Sequence, residues 1–143
     1  MMKILIGIDT GVKTGFAVAF DHGLGGELQQ VCSLTITKAM DQVKELIAEH
    51  QGINVRLYIE DARLRTWFTG GREKAQGVGS VKRDASIWET WCKENAVDCL
   101  MIHPKANATK LKADVFKRAT GWVGKTNEHS RDAAMLVHKR IYK

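Results

Sequence analysis

The first predicted strand carries apolar residues on both of its faces. In KILIGID, from Lys3 to Asp9, Ile4, Ile6 and Ile8 occupy alternate positions and Leu5 lies between them. A strand that is apolar on both faces is typical of a sheet that helices cover on each side. This run therefore predicts an α/β fold, in which the strand is buried and ends in a carboxylate.

Changes in hydrophobic period predict the remaining elements. Period-two patterns and turn residues indicate further strands at 15–21, 27–36, 54–61 and 97–104. Helical spacing indicates helices at 37–52, 80–95, 107–120 and 127–143, with Thr37 as the N-cap of the first and a loop from the fourth strand to about Gly79. Short connections make the first three strands antiparallel neighbours, and helical crossovers make the last two parallel to the first. The order βββαβαβαα thus predicts one α/β domain, residues 1–143, with a mixed five-stranded sheet flanked by helices.

Composition narrows the classes of function. Lys and Arg total 22 against 16 Asp and Glu, and the net charge of +6 favours a polyanionic partner, with nucleic acid first. No apolar run approaches the ~20 residues of a membrane span, and the start lacks the cleavage site of a signal peptide. The three cysteines, Cys32, Cys92 and Cys99, form no CxxC pair, which disfavours a disulfide framework or a zinc site. We expect a cytoplasmic protein in a reducing compartment, without membrane association.

Acidic side chains are predicted to converge at one edge of the sheet. Asp9 ends the first strand and Glu60 the fourth. If these strands are parallel neighbours, their carboxyl ends meet at the edge where α/β sheets bind ligands. His129 and Asp132 lie three residues apart in the last predicted helix and share one of its faces. Each residue alone has an ordinary alternative, such as a turn aspartate or a solvent-exposed strand end. As a set, they predict one site.

A cluster of carboxylates favours a hard divalent cation, because the negative charges would otherwise repel one another. Oxygen ligands suit Mg²⁺ or Mn²⁺. Two such ions roughly 4 Å apart can activate a water and stabilise the leaving oxygen in phosphodiester cleavage. His129 would then act as a ligand, as a general base, or as a charge near the scissile phosphate.

Three segments, GIDTGVKTGFAV, YIEDAR and EHSRDAAMLV, resemble in order and spacing the RuvC-type Holliday-junction resolvases of the RNase H-like superfamily. The resemblance covers nearly the whole chain, because the element order also matches, and it is closest to short phage-type members. It implies an RNase H-like fold and two Mg²⁺ ions per site, with Mn²⁺ able to substitute. The implied ligands and catalytic residues are Asp9, Glu60, His129 and Asp132, with His129 at a position that is Asp or His in the family.

The resemblance also implies a substrate and an assembly. The substrate would be a four-way DNA junction, cut by water to leave a 5′-phosphate during recombination or repair, in a bacterial cell or a phage-infected host. Symmetric cutting needs two active sites, which implies a homodimer. Trp88 and Trp91, in the predicted helix at 80–95, could form the dimer face or could belong to the core.

Basic and aromatic residues around the predicted site are candidates for DNA contact. Family members often place an aromatic shortly after the strand Glu, whereas Arg63 stands near that point here and Trp67 and Phe68 come later. These aromatics could stack on unpaired bases or could be packing residues. The cations that could bind phosphates, or could instead be a solvated surface, are Lys13, Arg63, Arg65, Arg72, Lys74, Lys82, Arg83, Lys105, Lys110, Lys112 and Lys125.

Other functions remain open at this point. The substrate within the nuclease class could be flaps, forks or RNA–DNA hybrids. A non-catalytic DNA-binding module with this fold would be expected to lack an acid, and none is missing. The segment ATGWVGKT, 119–126, is similar to a phosphate loop, but such loops follow a strand, whereas this one follows a predicted helix. An actin-like ATPase would need two domains of this kind.

Overall fold

A computed structural model describes residues 2–64, 72–107 and 109–141, without the side chains of residues 72–78 and 81. Within these ranges the strands are β1 (Lys3–Asp9), β2 (Thr14–Asp21), β3 (Gly26–Leu34), β4 (Asn54–Glu60) and β5 (Asp98–Ile102). The α-helices of the same ranges are α1 (Ile36–Glu49), α2 (Arg72–Glu94), α3 (Ala113–Thr120) and α4 (Glu128–Ile141). Short 3₁₀ helices follow β4 and β5, at Ala62–Leu64 and Pro104–Ala106.

The strands form the mixed five-stranded sheet that the sequence predicts. Their order is β3-β2-β1-β4-β5, so β1 lies at the centre. β1 is antiparallel to β2 and parallel to β4, and β5 is parallel to β4. The carboxyl ends of β1, β4 and β5 therefore share one edge of the sheet.

The two faces of the sheet have separate hydrophobic cores. Ile4, Ile6 and Ile8 of β1 pack on one face with residues of α1 and α2. On the other face, Leu5 packs with residues of α4, among them Ala133. Because side chains alternate along a strand, the face that receives Leu5 also receives the side chain at position 9.

Two glycines allow α4 to lie directly on the strands. A Cβ atom at Gly7 would overlap the carbonyl oxygen of Ala133, and one at Gly15 would overlap the carbonyl oxygen of His129. Gly7 lies in β1 and Gly15 in β2. The absence of side chains at these two positions therefore sets how closely the first turn of α4 approaches the end of β1.

Several predicted boundaries are wrong, and three of them have a clear local reason. β3 ends at Leu34, because the Thr35 side chain, and not that of Thr37, caps α1 by accepting from the Lys38 N–H at 3.3 Å. The second helix begins at Arg72, inside the predicted loop, because a glycine in a helix is unfavourable by only about 1 kcal/mol and does not stop it. The third helix begins at Ala113 instead of 107, after a segment that binds α4.

The tryptophans of α2 belong to the core on its side of the sheet. Trp88 is fully buried, and Trp91 packs on it edge-to-face with ring centroids 5.6 Å apart. Ile87, by contrast, is 43% exposed. The packing alternative for Trp88 is thus confirmed. In the part of the chain that the structure describes, no helix is long and apolar enough to cross a membrane.

Candidate active site

The carboxylate of Asp9 and the imidazole of His129 are in contact at the carboxyl edge of the sheet. His129 Nδ1 lies 3.0 Å from Asp9 Oδ2. The Asp9 side chain, at the end of β1, is 13% exposed, whereas the His129 side chain, in the first turn of α4, is 50% exposed. The contact joins a largely buried acid to a ring that a ligand can reach from solvent.

The start of α4 is fixed to the sheet by a reciprocal cap. Asn127 Oδ1 accepts from the Ser130 N–H, and the Asn127 N–H donates to Ser130 Oγ, both at 2.9 Å. Ser33 Oγ in β3 also donates to Asn127 Oδ1 at 2.9 Å. Such caps satisfy the free N–H groups of a first helical turn. This cap holds the turn that carries His129.

Asp132 is held by the segment between β5 and α3. The Lys110 N–H donates to Asp132 Oδ1 at 2.8 Å, and the Asn107 side-chain amide donates to the Asp132 carbonyl oxygen at 3.1 Å. Lys110 has a φ of 59°, in the left-handed region that costs an L-residue roughly 1–2 kcal/mol. The backbone conformation of Lys110 thus directs an N–H group to the carboxylate of Asp132.

Burial raises the pKa values of both aspartates. It raises the pKa of Asp9 from 3.8 to about 6, the negative charges of Asp132 and Glu128 add to this effect, and the hydrogen bond and charge of His129 oppose it. Burial also raises the pKa of Asp132, which the Lys110 N–H partly offsets. A site that is unfavourable for carboxylate charge in this way favours a bound cation.

Glu60 stands next to Asp9 in the register of the sheet. Ile8 pairs with Ile59 in the parallel ladder of β1 and β4, so Asp9 and Glu60 are the next residues of the two strands. Ile8 and Ile59 both belong to the core on the α1 and α2 face. By alternation, Asp9 and half-buried Glu60 both fall on the α4 face.

Glu128 is a neighbour of the site that the sequence analysis missed. Its charge contributes to the raised pKa values of both Asp9 and Asp132. The spacing in the sequence could have indicated this neighbour, because residues 128 and 132 are four apart and adjoin on a helix surface. Glu128 adds a third carboxylate to the charge around His129.

The acids are near one another without forming a closed cage. Among the residues that the structure describes, no three or more His, Cys, Asp and Glu side chains are grouped closely enough to hold a metal ion. The donors present are carboxylate oxygens and one imidazole, which is the chemistry that Mg²⁺ or Mn²⁺ accepts. Like charges repel, so the carboxylates stay apart when no cation is bound. A bound cation would draw them closer together.

Comparison with solved structures identifies the architecture. T. thermophilus RuvC in complex with a Holliday junction substrate matches 98% of this chain and 94% of its own, with a TM-score of 0.60 and 18% sequence identity. The chain has the RuvC fold. Its amino-acid sequence matches no protein-family model and no curated protein.

Arg63, a predicted phosphate contact, binds other residues of this RuvC-fold chain. Its guanidinium forms a two-point contact with Asp61, at 2.8 and 2.7 Å, and lies 3.0 Å from Glu89 Oε1 of α2. Asp61, directly after β4, is 2% exposed, so the end of this strand is not solvent-exposed at Asp61. DNA contact by Arg63 stays a prediction, and the geometry favours a different role.

The other predicted DNA contacts differ in where the RuvC fold places them. Lys13, in the turn after β1, is exposed, and so is Arg83 on α2, whereas Lys82 is half-buried. The exposed residues along the segment from β5 to α4 are Lys105, Lys110, Lys112 and Lys125. Arg65, Trp67 and Phe68 lie outside the described residues. The side chains of Arg72 and Lys74 do as well, although their backbone belongs to α2.

The segment similar to a phosphate loop has the wrong context in the RuvC fold. Residues 119 and 120 belong to α3, and Gly121 ends that helix in the left-handed conformation, with a φ of 76°. A phosphate loop follows a strand and begins a helix. The objection drawn from the sequence is confirmed, because a helix precedes this segment.

Proposed function

We propose that this chain is an endonuclease that depends on divalent metal ions and hydrolyses phosphodiester bonds in branched DNA, four-way junctions first. The observation that carries the proposal is the contact between Asp9 and His129. It is supported by the charge of Asp132, which acts on Asp9, and by the position of Glu60 next to Asp9 in strand register. This acidic site lies at the carboxyl edge of a sheet with the RuvC fold, and an open α/β sheet binds its ligands at that edge.

Asp9, Glu60 and Asp132 would hold the metal ions, with Mg²⁺ the expected ion and Mn²⁺ a substitute, and His129 would assist at the attacking water. The fit rests on oxygen donors and on the burial that raises the pKa values of Asp9 and Asp132. When bound, a pair of such ions supplies an activated water and stabilises the leaving oxygen. Glu128 would add negative charge that attracts the cations.

The protein groups would orient the reaction around His129. With Asp9 ionised, His129 Nδ1–H donates to Asp9 Oδ2 and leaves Nε2 as the nitrogen that can accept a proton. His129 is half exposed, so Nε2 can take a proton from the attacking water while the bond between phosphorus and the 3′-oxygen breaks. The product would carry a 5′-phosphate.

Branched DNA is the favoured substrate because this fold is that of a protein solved with a Holliday junction. The exposed lysines around the carboxyl edge would hold phosphates without reading bases. Two-fold cutting of a junction requires two sites, so we propose a homodimer. Partly exposed Ile87 is a better candidate for a dimer contact on α2 than the buried Trp88.

A substrate panel tests this function. Purified protein would be incubated with a labelled four-way junction, a replication fork, a flap, a linear duplex and an RNA–DNA hybrid, each with Mg²⁺ or with EDTA. We expect Mg²⁺-dependent cutting of the junction well above that of the duplex. Equal cutting of the linear duplex would exclude a resolvase, and preferred cutting of the hybrid would favour a ribonuclease. Binding without cutting would favour a non-catalytic module.

A further inference from the structure

Arg63 connects the end of β4 to α2 through a fork of hydrogen bonds. Its Nε and Nη2 donate to the two carboxylate oxygens of Asp61, at 2.8 and 2.7 Å. Its Nη1 reaches Ser86 Oγ at 3.2 Å and Glu89 Oε1 at 3.0 Å, both on α2. The planar guanidinium can serve these acceptors together, which the ammonium of a lysine cannot do.

Asp61 forms hydrogen bonds through both its backbone and its side chain. Its N–H donates to the Ile102 carbonyl oxygen of β5 at 2.8 Å, and its side chain accepts from the Arg63 N–H at 3.0 Å. The residue is 2% exposed, and a carboxylate so buried is unfavourable without a charged partner. Arg63 is that partner, so the conformation of the chain at Asp61 depends on the fork.

Asp61 directly follows Glu60, the proposed metal ligand of β4. Alternation places Glu60 on the α4 face and Asp61 on the α2 face, so the two carboxylates point to opposite sides of the sheet. A shift of the backbone at Asp61 would therefore move Glu60 as well. The fork holds this point of the backbone against α2.

We propose that Arg63 is a positioning residue, which fixes the end of β4 against α2 and thereby holds Glu60 in place to bind metal. This role rests on the proposed function. It differs from a phosphate contact, because the fork's four contacts to Asp61, Ser86 and Glu89 leave little of the guanidinium for DNA.

Two variants and one matched control test the proposal. Arg63→Lys keeps the charge and loses the two-point contact with Asp61. Glu89→Gln weakens the contact between Arg63 and α2, and it disturbs folding less because Asp61 keeps its partner. Arg56→Lys is the control, since Arg56 pairs with Asp98 at 3.0 Å through partly exposed side chains near the start of β4, away from Glu60. For each protein, calorimetry gives the affinity for Mn²⁺ alone, binding assays with Ca²⁺ give the affinity for junction DNA, and cleavage at saturating DNA gives kcat.

We expect the Arg63 variant, measured where it is fully folded, to bind Mn²⁺ about ten-fold more weakly and to lose kcat to a similar extent. Partners behind the ligands of metal sites typically contribute about 10- to 100-fold. DNA affinity should stay within about two-fold, because the charge is kept. Glu89→Gln should change Mn²⁺ affinity and kcat in the same direction, and Arg56→Lys should change neither.

Results that contradict the proposal can be told apart from failure of the proposed function. Weaker DNA binding with unchanged Mn²⁺ affinity and kcat would make Arg63 a phosphate contact and overturn the proposal. A folded Arg63→Lys protein with wild-type Mn²⁺ affinity and kcat would also overturn it, and if that variant does not fold, Glu89→Gln decides in the same way. If the wild-type protein cleaves none of the DNAs, the proposed function fails, and the Mn²⁺ affinities alone decide the role of Arg63.

Discussion

His129 Nδ1 and Asp9 Oδ2 lie 3.0 Å apart, although 120 residues separate them in the chain. The pair joins the first turn of α4 to the end of the central strand. Gly15 makes the contact possible, since any Cβ atom there would overlap the His129 carbonyl oxygen. The geometry of the proposed site therefore depends on backbone packing as much as on its acids.

Asp9→Asn should abolish cleavage while leaving the fold and DNA binding intact. The change keeps the size of the side chain and removes the charge that would bind metal. Residues behind metal ligands typically contribute about 10- to 100-fold, so loss of a ligand should lower kcat by more than about 100-fold. Asp41→Asn, on the exposed side of α1, is the matched control and should cleave normally. Full activity of Asp9→Asn would exclude Asp9 from the site.

In EDTA, Asp9 should lower the stability of the protein as the pH rises from about 4 to about 6. Its pKa is 3.8 before folding and about 6 in the folded protein. The unfolded state therefore loses its proton first, and the folded state loses about 2 to 3 kcal/mol of stability across this window. Urea unfolding should find Asp9→Asn as stable as the wild-type protein near pH 4 and more stable at pH 7.5. A constant difference between the two proteins across this window would contradict the raised pKa.

Metal binding should offset that loss of stability in the wild-type protein. A ligand that binds only the folded state stabilises the protein by about 2.7 kcal/mol when its concentration is 100 times its Kd. Mg²⁺ should thus raise the Tm of the wild-type protein in a concentration-dependent way. Asp132→Asn should lose the effect, although its side-chain oxygen can still accept from the Lys110 N–H. The same rise with NaCl of equal ionic strength would mean general screening of charge.

Gly15→Ala should destabilise the protein and separate His129 from Asp9. Extra atoms in a packed interior typically cost 1–3 kcal/mol, and here the clash is with the backbone of α4. Gly79→Ala is the control, because Gly79 lies in α2 with open space around it. It should stabilise the protein by roughly 0.5–1 kcal/mol. Chemical denaturation of both variants measures the contrast, and equal effects would argue against the close approach of α4.

Lys110→Gly and Lys110→Ala should separate the backbone role of this residue from its charge. Glycine accepts the positive φ of 59° freely, so the glycine variant should be more stable than the alanine variant by about 1 kcal/mol. Both lose the same cation and should weaken DNA binding equally if Lys110 contacts phosphate. Urea unfolding and a salt titration of DNA affinity measure the two effects. Equal stability of the two variants would mean that the left-handed conformation is not required.

The directions of the strands, and the acids at their ends, could be predicted from the sequence. The alternation of Ile4, Ile6 and Ile8 is a local pattern with a strong physical cause, namely burial of a strand between two layers. The helical crossover from β3 to β4 predicted that β4 runs parallel to β1, and the structure shows that the two strands pair. Because parallel strands end at the same edge, the sequence could place Asp9 and Glu60 at one edge of the sheet, whereas their position side by side came from the register of β1 and β4.

The start of α3 and the neighbours of the site residues depended on contacts between residues that are distant in the sequence. The late start of α3 was not predictable, because Asn107 is held by a carbonyl oxygen of α4. Predicting the effect of Glu128 on the pKa of Asp9 requires the distance between α4 and Asp9. Gly7 and Gly15 set that distance, because they leave space for the backbone of α4.

Arg63 shows most clearly what only the tertiary structure decided. By sequence it is a cation near a predicted nucleic-acid site, and its charge alone favours phosphate. In the folded chain, buried Asp61 and the facing residues of α2 bind its guanidinium. Local patterns thus indicated which acids end the strands and at which edge of the sheet they lie. The packing of α2 and α4 on the sheet decided which side chains face that edge and which ones hold it in place.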